Sequence, residues 1–456
     1  MQPNIIYIML DDLGKEWISC YGATDIATPN IDRLADQGMR FQNVYSMPQC
    51  TPSRMCLFTG QYPYRNGWVN HWDVPRWGAG ARYDTGAYPC NLGLMMRQAG
   101  YVTSACGKWQ VNDFRVEPQA MDAAGFDTWC MWTGFEAHNP PSAERYWDPY
   151  IVTDTTPAQT YPGQFGPDIF CQHAIDVATQ NANGDSPFFL YYAMVLPHAP
   201  FTTTPHDREA ESDLDKHKAM VRYADHCIGR LITALDDLGI REQTLVVFTS
   251  DNGTAGSITG HIGDRSVRGG KSRTVEPGVN IPFVVSWPGT VPQGVVTEEL
   301  CDFTDMIPTF ADLAEQEVPG PNKVDGVSVA PFLRGECATI ERDWILAMGG
   351  QNNAQVSQRG VENEWVFRDR VVRDKTYKLY VGADRRPAKF IDLNADPDEQ
   401  YDLSNQLDQQ AQQAMDKLSA LIDTWPLQDA DPRCVPQPPQ EWDIPVSVES
   451  MRWKRR

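Results

Sequence analysis

Four short apolar runs constrain this chain more than any other feature, because each ends on a polar group able to do chemistry. "NIIYIML" (residues 4–10) stops at Asp11-Asp12, and "TLVVFTS" (244–250) stops at Asp251-Asn252-Gly253. "YVTSAC" (101–106) leads into Gly107-Lys108, and "FFLYYAMVL" (188–196) leads into Pro197-His198-Ala199-Pro200. Apolar runs of this length without polar alternation fit strands buried on both faces. Such strands build open, mostly parallel α/β sheets, whose ligands bind in the crevice beyond the carboxyl ends. The expected fold is therefore α/β, with a mixed, mostly parallel central sheet flanked by helices. A lone Asp pair would read as a solvated turn or an N-cap; four runs obeying one rule point to a shared site.

If the strand ends converge, Asp11, Asp12, Asp251 and Asn252 offer hard oxygen ligands, suited to Ca²⁺ or Mg²⁺ rather than to thiophilic metals. Three carboxylates held together repel one another, which implies a divalent cation between them. The formal net charge of -21 opposes nucleic acid and anionic membranes. An anionic substrate then needs a local cationic pocket. No run approaches the roughly 20 apolar residues of a membrane span. "MQPN" passes straight into the first apolar run, so no signal peptide is read; the expectation is a cytoplasmic protein or a mature periplasmic or secreted form whose leader was removed. The 11 cysteines include no C-x-x-C pair, which disfavours a zinc thiolate site, and their odd number leaves at least one thiol unpaired.

Cys50 is the candidate for that thiol. In "PQCTPSRMCLFTG" (48–60), Pro52 suits the first position of a helix, with Cys50 at or just before the cap. The positive helix end and Arg54 would both lower the thiol pKa. Cys56, Cys106 and Cys227 read as inert core residues. Cysteine-protease chemistry is a second possibility, although it has no use for the carboxylate cluster.

Cys50-Thr51-Pro52-Ser53-Arg54, with Leu57, Thr59-Gly60 and Gly67, resembles the C-x-P-S-R-x-x-L-x-T-G signature of the type I sulfatases of the alkaline phosphatase-like superfamily. The resemblance extends through "DDLG", "GYVTSACGKWQ", "PHAPF", "SDNGT", "GGKSRTVEPGVNIPFVVSWPG", "DFTDMIPTFADLA" and "FIDLNADPDEQYDLS". It implies that a separate maturation enzyme oxidises Cys50 to formylglycine, whose hydrate attacks the sulfur of a sulfate ester. It also implies that Asp11, Asp12, Asp251 and Asn252, with the modified Cys50, hold a metal, Ca²⁺ rather than Mg²⁺. Arg54 would position the diol, Lys108 and Lys271 would bind sulfate oxygens, and His198 beside Lys271 would protonate the departing alcohol. The family's second signature often reads Gly-Lys-Trp-His, whereas this chain has Gln110 in the last place. A glutamine takes no proton near neutral pH, which leaves His71 and His261 as weak alternatives for the base that expels sulfate.

The expected organisation is a catalytic domain over residues 1–340, with loops inserted at 61–90 and 112–165. A C-terminal subdomain over 341–456 would hold a short antiparallel sheet, a helix within 407–425 and an extended Pro-rich tail. "GWVNHWDVPRWGAGARY" (67–83) supplies His71, Trp72, Arg76 and Trp77 as candidate substrate contacts, since indole faces stack on sugars and Arg binds anions; Gln110 and His261 join them. A sulfated saccharide is the expected partner, another small sulfate ester such as an aryl sulfate the alternative. Phosphodiester or phosphonate hydrolysis, and binding of sulfated glycans without turnover, are competing readings.

Overall fold

The computed structural model describes residues 2–70, 88–112, 114–115, 117–134, 145–320, 323–349, 354–357, 360–363 and 366–430. Among them, ten strands form one sheet: β1 (Asn4–Leu10), β2 (Met39–Tyr45), β3 (Val102–Lys108), β4 (Thr128–Trp132), β5 (Tyr150–Thr153), β6 (Gln159–Thr160), β7 (Phe188–Ala193), β8 (Thr244–Ser250) and, after a hairpin of β9 (Thr259–Ile262) and β10 (Arg265–Arg268), β11 (Phe283–Ser286) and β12 (Val295–Asp302). Their order is β12-β2-β11-β8-β1-β7-β3-β4-β5-β6. β8, β1, β7, β3 and β4 run parallel. β11 runs antiparallel to both neighbours, and β5 and β6 form an antiparallel edge.

The apolar character of β1 follows from its central place. Ile5, Tyr7 and Met9 enter one core, Ile6, Ile8 and Leu10 the other, and all six are fully buried. The first core takes Phe58 from the helix Cys50–Thr59 and Phe310 from the helix Met306–Leu313. The second takes Phe170 from the helix Gly166–Asn181 and Leu231 from the helix Asp213–Asp237. The latter helix begins after Ser212, whose Oγ accepts from Asp215 N at 3.1 Å, as an N-cap should.

Register brings the strand ends together. β1 pairs with β8 residue for residue, Asn4 with Thr244 through Leu10 with Ser250, so both chains leave the sheet at the same level. Asp251 N then donates to Leu10 O (3.0 Å) and Asp11 N to Leu196 O (2.9 Å). On the other side Ala193 lies level with both Met9 and Gly107. Gly107 has φ +97°, and a Cβ there would sit 1.8 Å from Ala193 O; only glycine lets β3 deliver Lys108 this close to β7.

A second sheet, in the order β13 (Ile345–Met348), β16 (Arg370–Arg373), β17 (Tyr377–Val381), β18 (Pro387–Asp392), is antiparallel. A separate hairpin of β14 (Ala354–Ser357) and β15 (Gly360–Asn363) precedes β16. Leu346, Val372, Leu379 and Phe390 join the same apolar cluster as Tyr7 and Phe41, so no break in the core separates the two sheets. The helix Gln409–Ala420 is capped by Asp408 and buries Leu418. Two expectations change: residues 112–165 are not a simple loop but supply β4, β5 and part of the sheet edge, and β7 ends at Ala193 rather than 196. The Pro-rich tail beyond residue 430 lies outside the described residues. No described helix is long and apolar enough to cross a membrane.

Candidate active site

Four strand ends and one helix start meet at a single point. Cys50 is the first residue of its helix, with Gln49 as N-cap, so Pro52 stands at the third position rather than the first. The Cys50 Sγ is 3.4 Å from Asp11 Oδ1, 3.7 Å from Asp12 Oδ1 and 3.4 Å from Lys108 Nζ. Lys108 Nζ donates to both Asp11 oxygens at 2.8 Å. Lys271 Nζ donates to Asp12 Oδ2 at 2.6 Å and to His198 Nε2 at 3.0 Å. Arg54 points to Asp251 Oδ2 (2.8 Å), Lys108 O (2.7 Å) and Tyr191 Oη (3.1 Å), not to Cys50.

The loops are held by backbone bonds. After β1, Leu13 N donates to Ser250 Oγ (3.0 Å) and Gly14 N to Thr254 Oγ1 (2.9 Å), which fastens that turn to the one after β8. Asp12 N donates to Asp251 Oδ1 (3.1 Å), and Asn252 Nδ2 donates to Asp12 Oδ1 (2.8 Å). Asp12, Gln110 and Ser272 adopt φ of 68°, 57° and 68°, a left-handed conformation that costs a non-glycine residue about 1 kcal/mol or more. Three such residues beside one cluster mark a place where geometry is kept at the expense of local comfort.

The charges differ from the sequence expectation in two respects. Burial pushes the Cys50 thiol well above its ordinary pKa; Asp251 and Asp11 add to this, and Lys108 and Lys271 do not offset it. The helix end and Arg54 therefore do not yield a thiolate: Arg54 is occupied by Asp251 and burial dominates. The expectation that three carboxylates demand a metal to relieve repulsion is also too simple. Among the described residues, Asp11, Asp12 and Asp251 are interleaved with Lys108, Lys271, Arg54 and Arg145, the last 3.6 Å from Asp11. Against the upward pull of burial, Lys108, His198 and Arg54 hold Asp11 below the usual carboxylate range, while burial and Asp11 raise Asp251 to about 6.

A hard cation nevertheless fits. The ligand atoms of Asp11, Asp12, Cys50 and His198 all lie within 4.8 Å of one another. Asn252 Oδ1 is buried without a hydrogen-bond partner among the described residues, an arrangement that costs about 1–3 kcal/mol unless something binds there. Two carboxylates and an amide oxygen are the hard part of this donor set, of the kind that takes Ca²⁺ or Mg²⁺, while Asp251 bonds Asp12 N and Arg54 beside it.

Not every expected residue joins the cluster. His261 lies on β9 and bonds Asp25 (2.9 Å) at a half-exposed position, so it is no partner of Cys50. Gln110 follows β3, is buried, and its main-chain oxygen accepts from Thr51 Oγ1 (3.2 Å). His71, Trp72, Arg76 and Trp77 lie outside the described residues. Sequence reasoning missed Arg145 and Tyr146: Tyr146 Oη donates to Val195 O (2.9 Å) and to the main-chain oxygen of His198. Neither sits in a motif or at a strand end.

With this geometry in place, comparison with known proteins is informative. A family model described as Sulfatase matches residues 3–316, and one described as N-sulphoglucosamine sulphohydrolase, C-terminal, matches residues 271–424. The N-acetylgalactosamine-6-sulfatase of Canis lupus familiaris is 31% identical over 350 residues, covering 73% of this chain and 66% of that protein. The chain thus spans just under two thirds of the animal relative's length. The N-acetylgalactosamine-6-O-sulfatase of Bacteroides thetaiotaomicron is 28% identical, covering 89% of this chain and 90% of its own. Among solved structures, that of Ps i-CgsB superposes with a TM-score of 0.76 at 24% identity, covering 100% of this chain and 97% of the other, a likeness of fold.

Proposed function

The chain belongs to the sulfatase family, and from that premise we propose that it hydrolyses sulfate esters of carbohydrates through a formylglycine made from Cys50. The observation that carries this reading is the placement of Cys50 Sγ 3.4 Å from both Asp11 and Lys108, inside an intact C-x-P-S-R motif. As a thiol the side chain is held protonated, which argues against thiolate catalysis. Oxidised by a maturation enzyme, the same position supplies an aldehyde hydrate, an oxygen nucleophile that can expel sulfate again by re-forming the carbonyl.

Asp11, Asp12, Asp251 and Asn252 would hold a divalent cation, Ca²⁺ in preference to Mg²⁺ because four oxygen donors from two loops suit the larger, more adaptable ion. Bound there, the cation supplies Lewis-acid activation of the nucleophile and charge for the sulfate group. Lys108 and Lys271 stabilise the negative charge of the transferring group, each fixed in direction by an aspartate. Arg54 keeps Asp251 in place and stiffens the helix start. Burial lowers His198 to a pKa of about 4, so at neutral pH it is uncharged and its Nε2 accepts from Lys271. The proton for the departing alcohol oxygen then comes from the Lys271 ammonium, which His198 Nε2 orients, rather than from His198 as the resemblance implied. Gln110 stands where relatives commonly carry a histidine and can only orient the second hydroxyl.

The names of the relatives direct the substrate test to 6-sulfated hexosamines. Matured, calcium-loaded protein is expected to release sulfate from N-acetylgalactosamine 6-sulfate or a related sulfated saccharide faster than from a small aryl sulfate or a matched phosphate ester. Turnover of aryl sulfates alone, or of phosphate esters in preference, would replace the carbohydrate reading. Binding of the saccharide without multiple turnover would make the protein a non-catalytic glycan binder.

A further inference from the structure

Gln49 and Ser272 each break a local rule, and they do so in contact with one another. Gln49 is the N-cap of the helix that opens with Cys50, a place that favours Ser, Thr, Asp or Asn, and its side chain makes no capping bond. Its Nε2 donates instead to Ser272 Oγ at 3.2 Å. Ser272 has φ +68°, a conformation that strains a serine and not a glycine. What serine brings there and glycine lacks is the hydroxyl that Gln49 meets. The main chain repeats the contact, since Ser272 N donates to Pro48 O at 2.7 Å.

Both ends of this bridge adjoin reacting groups. Gln49 precedes Cys50, and Ser272 follows Lys271, whose main-chain N donates to Thr254 O at 3.0 Å and whose Nζ reaches Asp12 Oδ2 and His198 Nε2. Lys271 is thus braced on one side by the turn after β8 and on the other by the start of the nucleophile's helix. As the S–O bond breaks, its electron pair passes to the alcohol oxygen, which takes a proton from the Lys271 ammonium; a sugar alkoxide needs that proton, whereas a nitrophenolate leaves without it. Resting on the sulfatase reading above, we propose that the bridge between Gln49 and Ser272 is a positioning element: it sets where the Lys271 ammonium stands relative to the nucleophile, and so how fast poor leaving groups depart.

The test measures kcat/KM for wild type, Gln49→Leu, Ser272→Gly and the double variant, all matured and calcium-loaded, on a saccharide sulfate, phenyl sulfate and a nitrophenyl sulfate. Each single variant should lose roughly ten- to hundredfold on the first two esters, up to what a misplacement of about 1 Å costs, and less than about threefold on the nitrophenyl ester. The double variant should be no slower than the slower single one, because both substitutions remove the same bridge. Ser272→Gly should do this without lowering the melting temperature, since glycine accepts the left-handed backbone. Equal losses on all three esters, no loss on any, or losses that multiply in the double variant would overturn the proposal and leave the sulfatase reading standing. If wild type turns over none of the esters, the sulfatase reading falls and the proposal falls with it.

Discussion

Lys271 and Glu276 are five residues apart, and each belongs to a cluster of buried charge, yet the two clusters are satisfied differently. Around Glu276, Oε1 accepts from Tyr45 Oη and from Lys378 Nζ (3.0 Å), and Oε2 accepts from Arg373 Nη1 (3.0 Å) and Asn280 Nδ2 (2.9 Å). Lys378 also meets Glu399 (2.7 Å), which in turn accepts from Glu276 N (2.8 Å) and Tyr380 Oη (2.7 Å). This network joins β16 and β17 to the segment that follows Lys271, and its carboxylate oxygens are taken up. Around Lys271 the geometry is equally dense, but Asn252 Oδ1 is unsatisfied, Asp12, Gln110 and Ser272 are in left-handed backbone, and the Cys50 thiol is held away from its reactive form. A saturated ionic cluster fixes the chain. An unsaturated one leaves an acceptor open to a ligand, and the proposed function would fill it with a cation beside an oxidised side chain and an anion.

The largest effect that can break this contrast is at residue 50. Cys50→Ala should abolish turnover by about 10⁴-fold or more while shifting stability by less than about 1 kcal/mol, measured by kinetics and denaturant unfolding. Next comes exhaustive chelation: activity should vanish and the melting temperature fall, both restored by Ca²⁺ and less well by Mg²⁺, since a ligand that binds only the native state stabilises it. Lys378→Met should do the reverse of Cys50→Ala. Removing the cation shared by Glu276 and Glu399 should cost about 3–5 kcal/mol in unfolding experiments, while the remaining folded enzyme keeps most of its kcat. If Lys378→Met proves neutral for stability, the saturated cluster is not a fixing element and the comparison fails.

Smaller effects sharpen it. Gln110→His should speed sulfate release by about a hundredfold, the low end of what a positioned base contributes; an unchanged rate would mean that another group already does this work. A last effect is one of acid stability. His217 is buried between Trp17 and Phe201, and burial lowers its pKa from 6.5 to about 3. The folded chain refuses a proton that the unfolded chain accepts, so stability is fully present above about pH 6.5 and declines toward pH 3, by at most about 1.4 kcal/mol per pH unit from this group. His217→Phe should flatten that acid limb in a pH series of unfolding midpoints.

Much of the fold was legible because apolar runs translate directly into central strands. "NIIYIML" and "TLVVFTS" are β1 and β8 to the residue, and their polar successors converge as expected. What could not be read depends on neighbours distant in sequence. The sign of the Cys50 shift turns on burial and on Asp251, some two hundred positions away. The cations that interleave the carboxylates come from four separate segments, so counting acids near strand ends overstated the need for a metal. Arg145 stacks on Trp132 across a stretch with no period or motif, and His261 was drawn toward the site only by its residue type, whereas Asp25 claims it. Glu276 and Glu399 sit in segments that carry the resemblance, yet their network was not legible, because its members are ordinary charged residues until β17 buries Lys378.

The central claim is that an oxidised side chain at position 50, not a thiol, breaks the sulfate ester. The most direct measurement is turnover on a sulfated saccharide plotted against the fraction of residue 50 found as aldehyde by peptide mass spectrometry, in preparations matured to different extents. A line through zero turnover at zero aldehyde is the expected result. Equal turnover by protein whose Cys50 remains an intact thiol would contradict it.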